Sequence, residues 1–266
     1  MTDNLEQATR PRPRADGVFE VEIPDGWQQG RGAFGGLTIA SLVRAIELSA
    51  GSPDRTLRSL TAELPAPVMV GLAEIHVEPV RIGSGQSTMT ARLVQDGEVR
   101  AVAVAILARP RAPGAETFCE LARPALRPWQ DMPAPPRLAG APTFTQHFEY
   151  RTDGPFPYTS GKEARVQGWI RPRNAGALGG GAYLAAMADT WWPATFTRAA
   201  APFPVGTVAF TLQIVGTPER LDPAVPLAYR GHVWVQSEGW FVEQRELWSD
   251  DGRLLALNQQ TFAVIK

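Results

Sequence analysis

Two stretches of the chain are apolar around nearly the whole helical circumference: residues 33–49, AFGGLTIASLVRAIELS, and residues 179–193, GGGAYLAAMADTWWP. A helix with no polar side cannot rest on a surface by one stripe, so each must be wrapped by other elements. Each is opened by glycines and followed by runs of alternating apolar and polar residues, the period of half-buried strands. After the first stretch these runs are TLRSLTAEL (56–64), VEPVRIG (77–83), STMTARLV (87–94) and RAVAVAILA (100–108). After the second they are TVAFTLQIV (207–215), AYRGHVWVQ (228–236), WFVEQRELW (240–248) and RLLALNQQTFAVI (253–265). The last two runs of each set flank an Asp-Gly pair, Asp96-Gly97 and Asp251-Gly252. That dipeptide suits a tight hairpin because both residues tolerate positive φ.

The same order of elements on both sides of residues 109–143 reads as an internal duplication. The intervening segment, RPRAPGAETFCELARPALRPWQDMPAPPRLAGAPT, is dense in proline and has neither period, as expected of a stiff connector. The predicted organisation is an N-terminal domain over 1–108, a linker over 109–143 and a C-terminal domain over 144–266. An all-apolar helix wrapped by a curved antiparallel sheet satisfies each half, and two such sheets can pair edge to edge. The expected fold class is therefore α+β, two hot-dog folds in tandem.

Composition narrows the function classes. Hydrophobic residues make up 44% and charged residues 20%, the balance of a globular chain with a packed core. The 26 basic and 27 acidic residues leave a net charge of −1, so no field gathers a nucleic-acid backbone. The N-terminal residues MTDNLEQATRPRPRADG carry no apolar run and do not resemble a secretory signal, and no segment has the length of a spanning helix. The single cysteine, Cys119, precludes an intrachain disulfide; with no histidine near it in sequence it reads as a packing residue. These features point to the cytoplasm. His76, His147 and His232 have no ligand spacing, so neither a metal nor a cofactor is expected. The glycine-rich run 176–181 lacks the Lys-Ser/Thr ending of a phosphate loop, and Ser84 sits in turn material, not in a nucleophile elbow.

Asp189 is the one charged residue in AYLAAMADTWWPATF, and burying an ionised carboxylate costs several kcal/mol without partners, on the order of the penalties for unpaired charges. The alternative role is a cap for the turn that follows, although a carboxylate at a helix C-terminus opposes the macrodipole. Aligning Gly36 with Gly181 sets Arg44 opposite Asp189, and aligning the Asp-Gly pairs sets Ala103, Val104 and Ala105 opposite Asn258, Gln259 and Gln260. One half has thus gained polar residues where the other is apolar. Strand alternation puts Gln260 on a face with Phe262 and Val264 and Gln259 on the opposite face; a polar edge strand is the competing reading. A carboxylate that activates water for attack on a carbonyl carbon works with donors for the developing oxyanion, which a glycine-opened helix N-terminus supplies. Gly181 precedes Asp189 by eight residues, about 12 Å of rise, so the donor is expected from the other helix, at Gly35 and Gly36.

Phe34-Gly35-Gly36 at the first helix, Ala188-Asp189 late in the second, Thr207 entering the next strand and Gln260 in the last strand together resemble the double hot-dog acyl-CoA thioesterases of the thioesterase II type, over nearly the whole chain. The resemblance implies that Asp189, Thr207 and Gln260 hold the attacking water, that an acyl-CoA is the substrate, and that the chain is a homo-oligomer. The threonine strand departs from that pattern, leaving Thr211 as an alternative to Thr207. Phe34, Trp191 and Trp192 are the expected acyl-pocket residues, the tryptophans narrowing it toward short or aromatic groups. Two other functions stay open: an acyl-CoA binding or scaffold protein without turnover, and a hot-dog hydratase or dehydratase. The latter pairs its aspartate with a histidine a few residues on, where this chain has Thr190-Trp191-Trp192-Pro193-Ala194.

Overall fold

A computed structural model describes residues 4–52, 54–111, 114, 116–136, 140–215 and 221–265. The chain begins with α1 (Leu5–Ala8), β1 (Arg12–Ala15), β2 (Val18–Ile23) and the small pair β3 (Gln28–Gln29) and β4 (Gly32–Ala33). Then follow α2 (Gly35–Ala50), β5 (Thr56–Glu63), β6 (Gly71–Ile82), β7 (Gln86–Gln95) and β8 (Glu98–Ala108). The second half runs β9 (Phe148–Arg151), β10 (Arg165–Pro172), α3 (Gly180–Ala188), β11 (Val205–Ile214), β12 (Leu227–Ser237), β13 (Trp240–Trp248) and β14 (Leu254–Val264).

Twelve strands form one antiparallel sheet in the order β1-β2-β6-β7-β8-β5-β11-β14-β13-β12-β10-β9. The halves meet where β5 pairs with β11, with Thr61 opposite Thr211. This junction removes an exposed edge from each half. Helix α2 packs on β5 to β8 and on α3, which in turn packs on β5 and β13. Burial accounts for the apolar helices: Leu37, Ile39, Leu42, Val43 and Ile46 of α2 and Ala182 to Ala188 of α3 all lie in one core. Each large side chain there contributes about 1.5–3 kcal/mol by leaving water.

Two local features differ from the sequence reading, and the Asp96-Gly97 hairpin agrees with it. Helix α3 stops at Ala188 instead of running to 193, with Asp189 at its C-cap; the Thr190 hydroxyl donates to the Met187 carbonyl and Pro193 has no N–H to continue the ladder. Asp96-Gly97 is a true two-residue hairpin, both φ positive at 54° and 76°. Asp251-Gly252 is not, since only Gly252 turns left-handed within a longer loop closed by Ser249 on Arg253. A two-residue turn with both φ positive does occur in the second half one connection earlier, at Glu238-Gly239 between β12 and β13, with φ 53° and 80°.

The proline-rich segment is not a free connector along its whole length. Residues 112, 113, 115 and 137–139 lie outside the described residues, but the part around 127–133 is strapped to the outer face of the second half. Trp169 Nε1 donates to the Arg127 carbonyl at 2.8 Å, and Met132 packs with Trp169, Ala228 and Trp248 in a small second core.

Candidate active site

The antiparallel pairing of α2 and α3 brings the N-terminus of α2 onto the C-terminal residue of α3. Asp189, 5% exposed, is met there by the Gly36 N–H, which donates to Oδ2 at 2.8 Å. Glycine is needed at both positions of this contact. A Cβ on Gly35 would stand 2.8 Å from Asp189 Oδ2, and one on Gly36 would stand 2.8 Å from the Ala186 carbonyl oxygen. The free N–H groups and positive end of one helix thus offset the unfavourable dipole at the end of the other.

The Gly36 amide was expected to face an oxyanion, and this is corrected: it is spent on the carboxylate, the nearest anion to the helix end. Among the described residues no acceptor partners the Gly35 N–H.

Strand β14 lies between β11 and β13, so the polar-edge reading of Asn258, Gln259 and Gln260 does not hold. Gln260 is fully buried on the inner face, with its amide donating to Asn258 Oδ1 at 3.0 Å and its carbonyl oxygen accepting from Thr207 Oγ1 at 3.1 Å. Gln259 faces outward, accepting from Gln244 at 2.9 Å. A register shift between Thr207 and Ala209 puts the two threonines on different faces. With a bulge there, Thr207 stands opposite Phe262 on the inner face. Thr211 stands opposite Gln259 and donates to its carbonyl, away from Asp189.

Sequence reasoning missed the two residues that complete the cluster. Arg245 and Glu243, 1% and 0% exposed, project from β13 toward α3. Arg245 Nη1 donates to the Ala188 carbonyl at 2.9 Å and to Asp189 Oδ1 at 3.4 Å, while its Nε donates to Glu243 Oε1 at 2.9 Å. Glu243 Oε2 accepts the Ala194 N–H at 2.8 Å. The available signal was alternation: Phe241, Glu243, Arg245 and Leu247 share one face of the strand, so a face with apolar ends carries a charged pair in its middle.

Two acids against one base, all buried, fix the electrostatics. Burial raises the Asp189 carboxyl above its ordinary range, with Arg245, the Gln260 amide and the Gly36 N–H pulling it back only in part. Burial likewise raises Glu243, against the pull of Arg245 and the Ala194 N–H. For Arg245 burial acts downward, but Glu243, Tyr229 and Asp189 outweigh it and the guanidinium stays charged.

A cavity of about 660 Å³ opens against Asp189, walled by Phe144, Phe148, Tyr150, Trp191 and Trp192. Trp191 stacks on Tyr229 at 4.9 Å and leans on Trp192 at 5.0 Å, and the Tyr150 hydroxyl donates to the Thr190 carbonyl at 2.9 Å. Phe34 is not part of this wall. It is fully buried one layer back, stacked on Phe144 at 4.4 Å, because it precedes the helix whose first turn is pressed against α3. The counterpart of Asp189 in the first half behaves otherwise: Arg44 holds the N-terminal segment through the Glu6 carbonyl and Thr9 Oγ1, with Leu5 buried beside it. Cys119 is exposed, not packed as expected. Among the described residues no group of histidine, cysteine and carboxylate side chains could hold a metal, and no helix is long and apolar enough to cross a membrane.

Comparison with known proteins adds to this geometry. A family model described as the acyl-CoA thioesterase N-terminal domain matches residues 23–108, and one described as the acyl-CoA thioesterase C-terminal domain matches residues 123–264. No curated protein matches the chain. Among solved structures, a conserved hot-dog protein of unknown function from Alicyclobacillus acidocaldarius is 27% identical over 100% of this chain and 99% of its own, with a TM-score of 0.88. A protein from Thermobifida fusca YX assigned as a thioesterase II is 22% identical over 98% and 97%, TM-score 0.83. An acyl-CoA thioesterase II from Mycobacterium marinum is 16% identical over 98% of each, TM-score 0.77. At those two identities the likeness carries the hot-dog fold alone.

Proposed function

Because this chain belongs to the acyl-CoA thioesterase family, we propose that it hydrolyses an acyl-CoA thioester to the free acid and CoA with a water held by Asp189, Gln260 and Thr207. One observation carries the reading: a buried carboxylate at the wall of an aromatic cavity, gripped by the helix end of the other half. Asp189 accepts a proton from the water as its oxygen adds to the thioester carbonyl, Gln260 and Thr207 orient that water, and the Gly35 N–H is the amide left for the oxyanion. Collapse of the tetrahedral intermediate breaks the C–S bond, and the leaving thiolate takes the proton back from Asp189. Trp191 and Trp192 bound the acyl group, favouring short or aromatic acids.

The same reading takes residues 1–108 and 144–266 as two hot-dog units in tandem around the 109–143 segment, and the protein as a cytoplasmic homo-oligomer. Matched helix-to-strand order on the two sides of the β5 and β11 junction supports the division. Purified protein assayed against acyl-CoAs of graded length, with phenylacetyl-CoA and benzoyl-CoA among them, tests the activity. Release of CoA from short or aromatic members is the expected result; binding without release would favour an acyl-CoA binding protein. That second reading draws on the fact that both Asp189 oxygens already meet protein donors.

Two further expectations concern the same site. Since only the ionised Asp189 accepts a proton and burial raises its pKa, kcat/KM is expected to fall on the acid side with a midpoint above the ordinary carboxylate value of about 4. A midpoint at or below that value would separate the limb from Asp189. Gln260→Ala is expected to lower kcat at least about tenfold, the rate equivalent of one net hydrogen bond of about 1.4 kcal/mol to the attacking water. Gln259→Ala should stay near wild type, so equal losses at the two positions would reject the assignment.

A further inference from the structure

Glu243 and Arg245 form a buried pair that connects two parts of the site. Arg245 donates to Asp189 Oδ1 and to the last carbonyl of α3, at Ala188. Its guanidinium lies over the Phe262 ring, 5.3 Å from the centroid, which leaves it little room to swing. Glu243 takes Arg245 Nε on one oxygen and the Ala194 N–H on the other. Ala194 closes the 190–194 segment, which carries both cavity tryptophans. The carboxylate and the cavity wall are therefore referenced to a single ion pair on β13.

A pair of this kind is not explained by stability. Replacing a buried ion pair with apolar residues of similar volume is often neutral or stabilising, and here the pair leaves the cluster with one excess negative charge. What it supplies is direction: a planar guanidinium with fixed donors holds a carboxylate in one orientation.

Resting on the proposed hydrolysis, we propose that Arg245 and Glu243 are positioning residues: Arg245 aims the Asp189 carboxylate that holds the attacking water, and Glu243 fixes Arg245 and the 190–194 wall to each other. The groups facing Asp189 are the Gly36 N–H from α2, Gln260 from β14, Arg245 and Glu243 from β13, Tyr229 from β12 and Tyr150 from β9. Arg245 is the one cation among them.

The test uses the whole chain and an acyl-CoA that the wild type cleaves. Arg245→Lys keeps a charge but has no fork to reach Glu243, Ala188 and Asp189 together. Its kcat is expected to fall about tenfold or more with KM little changed, and the acid limb of kcat/KM should move to higher pH because the unforked ammonium, drawn to Glu243, no longer contacts Asp189. Glu243→Gln removes the neighbouring negative charge and leaves Arg245 in place, so its acid limb should move the opposite way, to lower pH, with a smaller loss in kcat. A merely structural role would lower the thermal midpoint in both variants and move neither limb.

Because Arg245 acts through Asp189, adding Arg245→Lys to Asp189→Asn should cost nothing more. Multiplied losses in the double variant, or unmoved limbs in two folded single variants, would overturn the proposal. If Arg245→Lys does not fold, the limb of Glu243→Gln decides alone. Wild-type turnover in Asp189→Asn would instead remove Asp189 as the group that holds the attacking water, the premise on which this rests, so the two failures are distinguishable.

Discussion

Asp189→Asn is expected to lower thioester hydrolysis at least about a hundredfold, the lower range for losing a general base, while leaving the fold intact. Asparagine nearly matches aspartate in shape but its amide cannot take a proton from water. Stability should hold or rise for an electrostatic reason. The buried cluster holds Asp189 and Glu243 against Arg245 alone, and the amide converts it to a balanced pair, since Arg245 keeps Glu243 at 2.9 Å. The sign follows from the raised pKa of Asp189. A carboxyl with a higher pKa in the folded state favours folding below its unfolded pKa, and that contribution is lost as pH rises through the folded value. The thermal midpoint of Asp189→Asn relative to wild type should therefore improve from the ordinary aspartate range upward. Turnover near wild type in the Asn variant would reduce Asp189 to the cap of the turn that follows it.

Gly36→Ala is expected to damage both stability and turnover through one added methyl group. Its Cβ would stand 2.4 Å from Phe34 Cε2 and 2.8 Å from the Ala186 carbonyl oxygen. Neither neighbour has free space, since Phe34 is stacked on Phe144 and Ala186 is backbone within a buried helix. Helices α2 and α3 must separate by several tenths of an ångström, which lengthens the hydrogen bond from Gly36 to Asp189. Overpacking of this kind costs about 1–3 kcal/mol, or several degrees in Tm for a chain of this size. Turnover should fall about tenfold or more as Asp189 loses its neutral donor. Gly180→Ala, at the start of α3 where a Cβ would meet nothing within 4 Å but φ is +65°, is the control. It should cost only the backbone strain of a left-handed alanine, roughly 1 kcal/mol, and leave kinetics unchanged. A Gly36→Ala protein as active as the control would detach the helix contact from catalysis.

How much of this was legible in the sequence depends on the range of the interactions involved. The wrapped helices, the strands following each and the Asp96-Gly97 hairpin follow from periodicity and turn chemistry, which act within a few residues. So does the isolation of Asp189 in an apolar helix, and the facing of Gln260 away from Gln259. The approach of the first helix's glycine end to the Asp189 region was also within reach, but its Gly36 amide, expected to face an oxyanion, meets the carboxylate instead. Three things were decided only by the tertiary structure. The bulge in β11 turns Thr207, and not Thr211, toward Gln260 on the inner face, and a bulge depends on how a partner strand is registered, not on the run itself. Phe34 drops behind the cavity because α2 and α3 pack too closely to leave it exposed. Glu243 and Arg245 carry no mark of a site in WFVEQRELW, and they form a buried pair only because β13 lies next to β14 under the end of α3. Local sequence carries propensity and face; which charges meet across that face is set by the pairing of strands and helices far apart in the chain.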